Sequence, residues 1–304
     1  MIGIIGSGNV GANTAFFLAE KGVDDVILYD VMEGMAQGKA LDMMEAAPIR
    51  GYRTRIIGSD RPEEVLDCDI IIITAGAVRK PGMKRDELFL ENKKIIDAYA
   101  LKINNPDTKV IIVSEPVDLL TSVFAKASTL PANQIIGLGG VLDATRLRFL
   151  IARELNVSME NVSAQVVGRH TDDMIILRSY CSVSGISLES FFPLDQVEKL
   201  FEKTRQAGSL IVDLAGRASA YYGPSAVVAE LAEAICLDTG RLFSVFHVLP
   251  GIFGIQDVAL SLPCVVNKTG ISKVIQPKLS DEEIRLLRNS ADLIAQIIKE
   301  ADHA

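Results

Sequence analysis

Gly6, Gly8 and Gly11 stand at the spacing of a turn that cradles phosphates, and the residues around them fit that chemistry. Ile2, Ile4 and Ile5 open an apolar run that breaks at Gly6-Ser7-Gly8-Asn9-Val10-Gly11. Ala12 to Glu20 then reads as a helix, and Val26-Ile27-Leu28-Tyr29 ends at Asp30. The order is strand, glycine turn, helix, strand, acid. In such a unit the first glycine makes the tight turn, the second lets a pyrophosphate approach the backbone, and the third lets helix and strand pack closely. The free amides at the helix start face the phosphates. Asp30 stands where an acid accepts hydrogen bonds from an adenosine ribose, and its charge repels a 2′-phosphate, so the stretch predicts NAD rather than NADP. A glycine turn can also be a bare connection; here the flanking strands and the acid favour the nucleotide.

A second set of residues could move a proton and hold an acid. Asp143 and Arg146 are three apart and project from one face of a helix. An Arg fork holds a carboxylate by two parallel hydrogen bonds, and a carboxylate beside an imidazole fixes its tautomer and stabilises its protonated form. His170, in Gly168-Arg169-His170-Thr171-Asp172-Asp173, supplies the side chain best suited to proton exchange near neutral pH. The stretch Ala75 to Arg85 bears Gly76, Pro81, Gly82 and the basic residues Arg79, Lys80, Lys84 and Arg85. It is either a solvated connection or a lid. Asp172 is either part of the site or a loop hydrogen-bonder.

These groups need a scaffold, and the pattern supplies one. Met35 to Ala47 reads as a helix stopped by Pro48, Thr54 to Ile57 as a short strand, and Asp69 to Thr74 as a strand apolar enough to be buried on both faces. A long helix from Asp86 to Ile103 leads to the strand Val110 to Val113, which ends at Ser114-Glu115-Pro116. A further helix and the strand Gln134 to Gly137 complete an alternation that predicts an α/β fold, a doubly wound parallel sheet with ligands at the carboxyl ends of its strands. Near Val141 the character changes. A helix from Asp143 to Leu155 precedes β-like runs at Ser163 to Val167 and Met174 to Val183. Helices over Leu194 to Ala220 and Pro224 to Leu237 follow, then strands near Leu242 to Leu249, Asp257 to Leu262 and Ser272 to Ile275. Ser280 and Glu283 form a capping box for the last helix. The division predicts a dinucleotide-binding domain over 1–140 and a substrate domain of α+β type over 141–304.

Composition narrows the function classes. The chain has 304 residues, 49% of them hydrophobic, and a formal net charge of -8, which argues against a nucleic-acid surface. It opens directly in a strand, and no uncharged run reaches about 18 residues, so the expectation is a soluble, cytoplasmic protein with no membrane partner. Cys68, Cys181, Cys236 and Cys264 are scattered, without a CxxC pair and with three histidines in the whole chain. This argues against a disulfide framework or a metal site and fits a reducing compartment. No Tyr is followed four residues later by Lys, which disfavours the proton donor of short-chain reductases.

The sequence resembles the malate and lactate dehydrogenases over nearly its whole length. The resemblance rests on GSGNVG at 6–11, Asp30, TAGAVRKPGMKR at 74–85, Asn92, SEPVD at 114–118, GVLDATRLR at 140–148 and GRHTDDM at 168–174. It implies a Rossmann domain that binds NAD, with His170 as proton donor and acceptor and Asp143 as its partner. Arg146 would anchor the substrate's C1 carboxylate, and Arg85 would polarise the reacting C2 oxygen from a lid. Asn92 and the strand end Val113-Ser114-Glu115 would contact the cofactor, Glu115 also bordering the substrate. An Arg at position 79 resembles the malate type, since a second carboxylate needs a second cation. The implied partner is a 2-hydroxy or 2-keto dicarboxylic acid, and the implied assembly a homotetramer or homodimer of the lactate-dehydrogenase-like branch.

Two positions depart from the family pattern. Glu115 stands where the family has Asn, and an ionised Glu accepts only and repels a dicarboxylate. Thr171 replaces a Gly, so a strained turn after His170 must relax. The expectation is that Arg169, where members usually carry Gly or Glu, pairs with Glu115 and screens it. The competing readings are a lactate or other 2-hydroxyacid dehydrogenase, and an NAD-binding protein whose catalysis these changes have impaired.

Overall fold

The computed structural model describes residues 1–77, 85–216 and 220–302, leaving aside the side chains of residues 85 and 86. Arg79 and the side chain of Arg85 therefore lie outside the described residues, as does most of the expected lid.

Six short strands of the first half lie parallel: β1 (Ile2–Ile5), β2 (Val26–Tyr29), β3 (Ile56–Ser59), β4 (Ile70–Ile73), β5 (Lys109–Ile112) and β6 (Ile135–Gly137). Their order across the sheet is β6-β5-β4-β1-β2-β3, so strand succession reverses between β1 and β4. Helices α1 (Asn9–Lys21), α2 (Met35–Arg50), α3 (Glu63–Leu66), α4 (Arg85–Lys102) and α5 (Val117–Ala127) make the connections. Strands covered on both faces must be apolar throughout. All four residues of β1 and of β4 are buried accordingly.

The second half opens with α6 (Gly140–Leu155), followed by two-residue strands β7 (Val162–Ser163), β8 (Val166–Val167), β9 (Ile175–Ile176), β10 (Ser182–Val183) and β11 (Ile186–Ser187). Helices α7 (Leu194–Ala215) and α8 (Tyr222–Cys236) come next, then β12 (Arg241–Pro250), β13 (Gln256–Asn267), β14 (Gly270–Val274) and α9 (Asp281–Ala301). The last three strands extend the first sheet, because β12 pairs antiparallel with β6 at Phe246 and Gly137, giving the order β14-β13-β12-β6-β5-β4-β1-β2-β3. A separate apolar cluster that includes Leu147, Ile151, Leu200 and Phe201 packs α6 against α7.

Several boundaries differ from the sequence reading. Helix α2 runs through Pro48 to Arg50 and ends at Gly51, whose φ is 78°. A proline in the last turn costs one hydrogen bond near an end that terminates anyway. Helix α7 stops at Ala215, five residues early, because Gly216 takes a left-handed conformation and donates to the Val212 carbonyl. The β-like runs of 163–183 are broken by a 3₁₀ turn at Arg178–Tyr180. Strand β13 continues past Pro263 to Asn267, with Pro263 opposite Ser244. The capping box is present, Ser280 accepting from Glu283 N and Glu283 from Ser280 N.

The close packing of α1 on β1 depends on Gly11, since a Cβ there would sit 1.9 Å from the Gly6 carbonyl oxygen and 2.8 Å from Thr74 Oγ1. Neither neighbour is the end of a flexible chain. Gly11→Ala is expected to destabilise the protein by about 1 to 3 kcal/mol and to weaken NADH binding, as read by thermal unfolding and by cofactor fluorescence. Gly8→Ala, where an added Cβ meets nothing within 4 Å, is expected to leave stability nearly unchanged. Equal stability of the two variants would contradict this account of the turn.

Candidate active site

The parallel register aligns Ile5 with Tyr29 and with Ile73, Ile73 with Ile112, and Ile112 with Gly137. The turns leaving these strands therefore share one edge, and a crevice forms where the order reverses between β1 and β4. Asp30 is anchored there: its Oδ2 accepts from Ser7 N at 2.7 Å and its Oδ1 from Met32 N at 3.0 Å. Thr74 Oγ1 donates to the Gly6 carbonyl at 2.8 Å, tying the glycine turn to the end of β4. Ser7 is buried, whereas Gly8 and Asn9 are exposed at the start of α1. The Val10 carbonyl accepts from Ser225 Oγ of α8 at 2.9 Å, so this helix start is also held from the second half. Open space above Gly8, the positive end of α1 and the fixed carboxylate of Asp30 match the phosphates and ribose of a dinucleotide.

The remaining cofactor-side candidates brace one another. Asn92 is buried on α4; its Oδ1 accepts from Ala77 N at 2.7 Å and its Nδ2 donates to the Glu115 carbonyl at 2.6 Å. It joins the turn after β4 to the turn after β5. Ser114 Oγ donates to the Ala75 carbonyl at 2.6 Å, a second tie between the same turns. Val113 follows β5 and is buried.

His170, Asp143 and Arg146 meet as one group. His170 Nδ1 lies 2.7 Å from Asp143 Oδ2, and Arg146 Nη1 lies 3.2 Å from Asp143 Oδ1. Asp143 is fully buried in the first turn of α6, where the helix N-terminus adds to the stabilisation of its charge. Burial of the imidazole opposes its protonation, but the charge and hydrogen bond of Asp143 outweigh that, Glu115 adds to them and Arg146 subtracts. The net result raises the His170 pKa to about 9. A charged ring nitrogen, a buried partner and a neighbouring guanidinium can together give or take a proton on a bound carboxylate-bearing molecule.

Ser261, in the middle of β13, aligns this group and had no signal in the sequence. Its Oγ accepts from Gly140 N at the start of α6 at 3.0 Å, while its backbone exchanges hydrogen bonds of 2.9 and 3.0 Å with Gly168. One strand residue thus sets both the helix of Asp143 and the loop of His170.

The expected pairing of Arg169 with Glu115 is not found. Arg169 is buried and its Nε donates to Asp118 Oδ2 at 2.8 Å, with Nη1 3.7 Å from Asp173 Oδ2. Glu115, half exposed, instead turns Oε1 toward His170 Nε2 at 3.8 Å. The reason is burial: Asp118 is fully buried and needs a cation, whereas Glu115 keeps water. Thr171 takes no positive φ, so the turn after His170 has relaxed as its β-branched side chain requires. Its hydroxyl donates to Asp173, whose other oxygen accepts from Ser290 Oγ of α9 at 3.2 Å.

Removing the Arg169 guanidinium leaves a buried carboxylate without it. Arg169→Met is expected to cost roughly 3 to 5 kcal/mol in urea unfolding, and the double variant Arg169→Met/Asp118→Leu to recover part of that loss. Additive losses in the two single variants and their combination would contradict the pairing.

Comparison with known proteins agrees with this arrangement. Residues 1–137 match the lactate/malate dehydrogenase NAD binding domain, and residues 140–304 the lactate/malate dehydrogenase alpha/beta C-terminal domain. A malate dehydrogenase of Heliobacterium modesticaldum is 40% identical over 299 residues, covering 98% of this chain and 97% of the relative. The structure of malate dehydrogenase from Salinibacter ruber is 36% identical, with a TM-score of 0.93 over 99% of this chain and 97% of that one. A lactate dehydrogenase of Cryptosporidium parvum, solved with lactic acid and nicotinamide adenine dinucleotide, is 32% identical, with a TM-score of 0.95 over 100% of this chain and 98% of that one. A doubly wound sheet with a dinucleotide crevice, carrying a histidine, aspartate and arginine group, thus meets full-length similarity to enzymes of one kind: the chain belongs to the lactate/malate dehydrogenase family and is an NAD-dependent 2-hydroxyacid dehydrogenase.

Proposed function

We propose that the chain is a malate dehydrogenase, interconverting malate and oxaloacetate. The observation that carries the reading is the buried Asp143 carboxylate shared by His170 and Arg146, a proton carrier and a carboxylate anchor held together. The identity of the substrate is supported by Arg79, a second cation in the sequence for a second carboxylate, and by relatives about 40% identical that are named malate dehydrogenase.

In the oxidation direction, neutral His170 accepts the C2 hydroxyl proton at Nε2 while Asp143 stabilises the imidazolium that results. Arg146 holds the C1 carboxylate by a paired fork, and Arg85 stabilises the charge that develops on the C2 oxygen. NAD, bound by the Gly6 to Gly11 turn and Asp30, supplies the hydride acceptor, or in reduced form the donor. In reduction, protonated His170 returns its proton to the carbonyl oxygen. Residues 1–140 serve the cofactor and 141–304 the substrate in this reading.

We also infer a cytoplasmic homodimer or homotetramer. No helix of the described residues is long and apolar enough to cross a membrane. Helix α2 exposes Leu41 and Ile49, and α7 exposes Leu210 and Leu214, apolar area of the kind that subunits cover.

A second reading is an NAD-binding protein with impaired turnover, favoured by Glu115, whose carboxylate lies beside the nitrogen that must face substrate. NADH oxidation measured across a panel of 2-keto acids separates the readings. Oxaloacetate is expected to be the best substrate; preference for pyruvate would indicate the lactate type, and NADH binding without turnover the impaired one. Arg79→Gln is expected to lower kcat/KM for oxaloacetate by roughly 30- to 1000-fold, the equivalent of about 2 to 4 kcal/mol, and to raise the relative use of pyruvate. An unchanged substrate ratio would remove Arg79 from the site.

A further inference from the structure

The turn between β5 and α5 sets a second carboxylate against the imidazole of His170. Glu115 is half exposed, yet both its backbone and its side chain are held. Its carbonyl accepts from Asn92 Nδ2 at 2.6 Å, and its Oε2 accepts from Val117 N in the first turn of α5 at 3.3 Å. These contacts leave Oε1 3.8 Å from His170 Nε2, while the opposite ring nitrogen lies 2.7 Å from Asp143 Oδ2. Each nitrogen therefore faces a carboxylate. A neutral imidazole has one N–H and can satisfy one of them; only the imidazolium carries a proton toward both.

Among the described residues, the other charges around the ring do not cancel this arrangement. Arg146, on α6, opposes ring protonation, but its guanidinium is engaged with Asp143. Arg169 turns away to Asp118, and Asp173 to Ser290 and the Arg169 guanidinium.

We propose that Glu115 is a second carboxylate partner of His170, placed on the Nε2 side so that the substrate-free protein already carries the proton that reduction of a 2-keto acid consumes. The proposal rests on the reading of His170 as proton donor and acceptor and assigns a positioning role to a residue that departs from the family pattern. In reduction, hydride adds to the C2 carbon, the proton on Nε2 passes to the C2 oxygen, and the ring is left neutral with its remaining N–H toward Asp143. The bare Nε2 then faces an anionic carboxylate, an arrangement that draws a proton back from solvent. In oxidation the same carboxylate works in the opposite direction. His170 must be neutral to accept the hydroxyl proton, so oxidation gains as pH rises through the ring's pKa, about 9 in the substrate-free protein, and reduction declines over the same range.

An NMR titration of the histidine rings in the substrate-free protein tests this without reference to turnover. The chain has three histidines, and His170→Gln identifies the resonance of interest. The midpoint for His170 is expected near 9 and to fall by roughly half a unit or more in Glu115→Gln, with Glu115→Asp in between. In steady-state assays the pH of half-maximal oxidation is expected to move down with it. An unchanged midpoint in Glu115→Gln would overturn the proposal whatever the activity. A shifted midpoint in a protein that turns over no 2-keto acid would uphold the pairing and overturn the proton-donor reading instead.

Discussion

The arrangement depends on one buried charge. Asp143 has no exposed surface, and an ion of that kind costs several kcal/mol unless its surroundings replace water. Three elements do so: the N-terminus of α6, the Arg146 fork one turn along, and the His170 ring from a loop 27 residues away. Satisfying the carboxylate fixes the orientation of the imidazole and gives it a protonated form that survives burial. The structural requirement and the chemical one are met by the same contact.

That contact requires α6 and the His170 loop to be placed to within a fraction of an ångström, and the large sheet does this. Strands β12 to β14 come late in the chain but join β6 at the edge of the parallel sheet. Ser261 of β13 then reaches both Gly140 and Gly168. On the opposite side, Asn92 and Ser114 tie the turns after β4 and β5, which hold Glu115 against the ring. The crevice at the strand reversal and the group of His170, Asp143 and Arg146 are thus fastened to one continuous frame. The order of the parallel strands sets where the crevice opens, and the antiparallel extension sets where the His170 loop meets α6.

Much of this was legible because it is local. The turn Gly6 to Gly11, the apolar run Ile70–Ile73 and the capping box at Ser280 each carry their signal within a few residues. Proline misled at Pro48, because so near a helix end it removes one hydrogen bond and the rest of the turn outweighs the loss. The partner of Arg169 was not legible either. Glu115 and Asp118 stand three residues apart in the same turn, so sequence distance offers no choice between them; burial decides, since only Asp118 lacks access to water. Ser261 was silent for a different reason. A serine within a strand has no motif, and its role comes entirely from residues 93 and 121 positions away.

The central claim is that the Asp143 charge is what makes this crevice catalytic, and Asp143→Asn tests it most directly because the amide keeps the side chain's shape while removing its charge. The measurement is kcat/KM for reduction of the preferred 2-keto acid, with NADH binding followed in parallel. The account predicts a fall of roughly 100-fold or more, with NADH affinity within about twofold of the parent protein. Reduction within a few-fold of the parent value would contradict it.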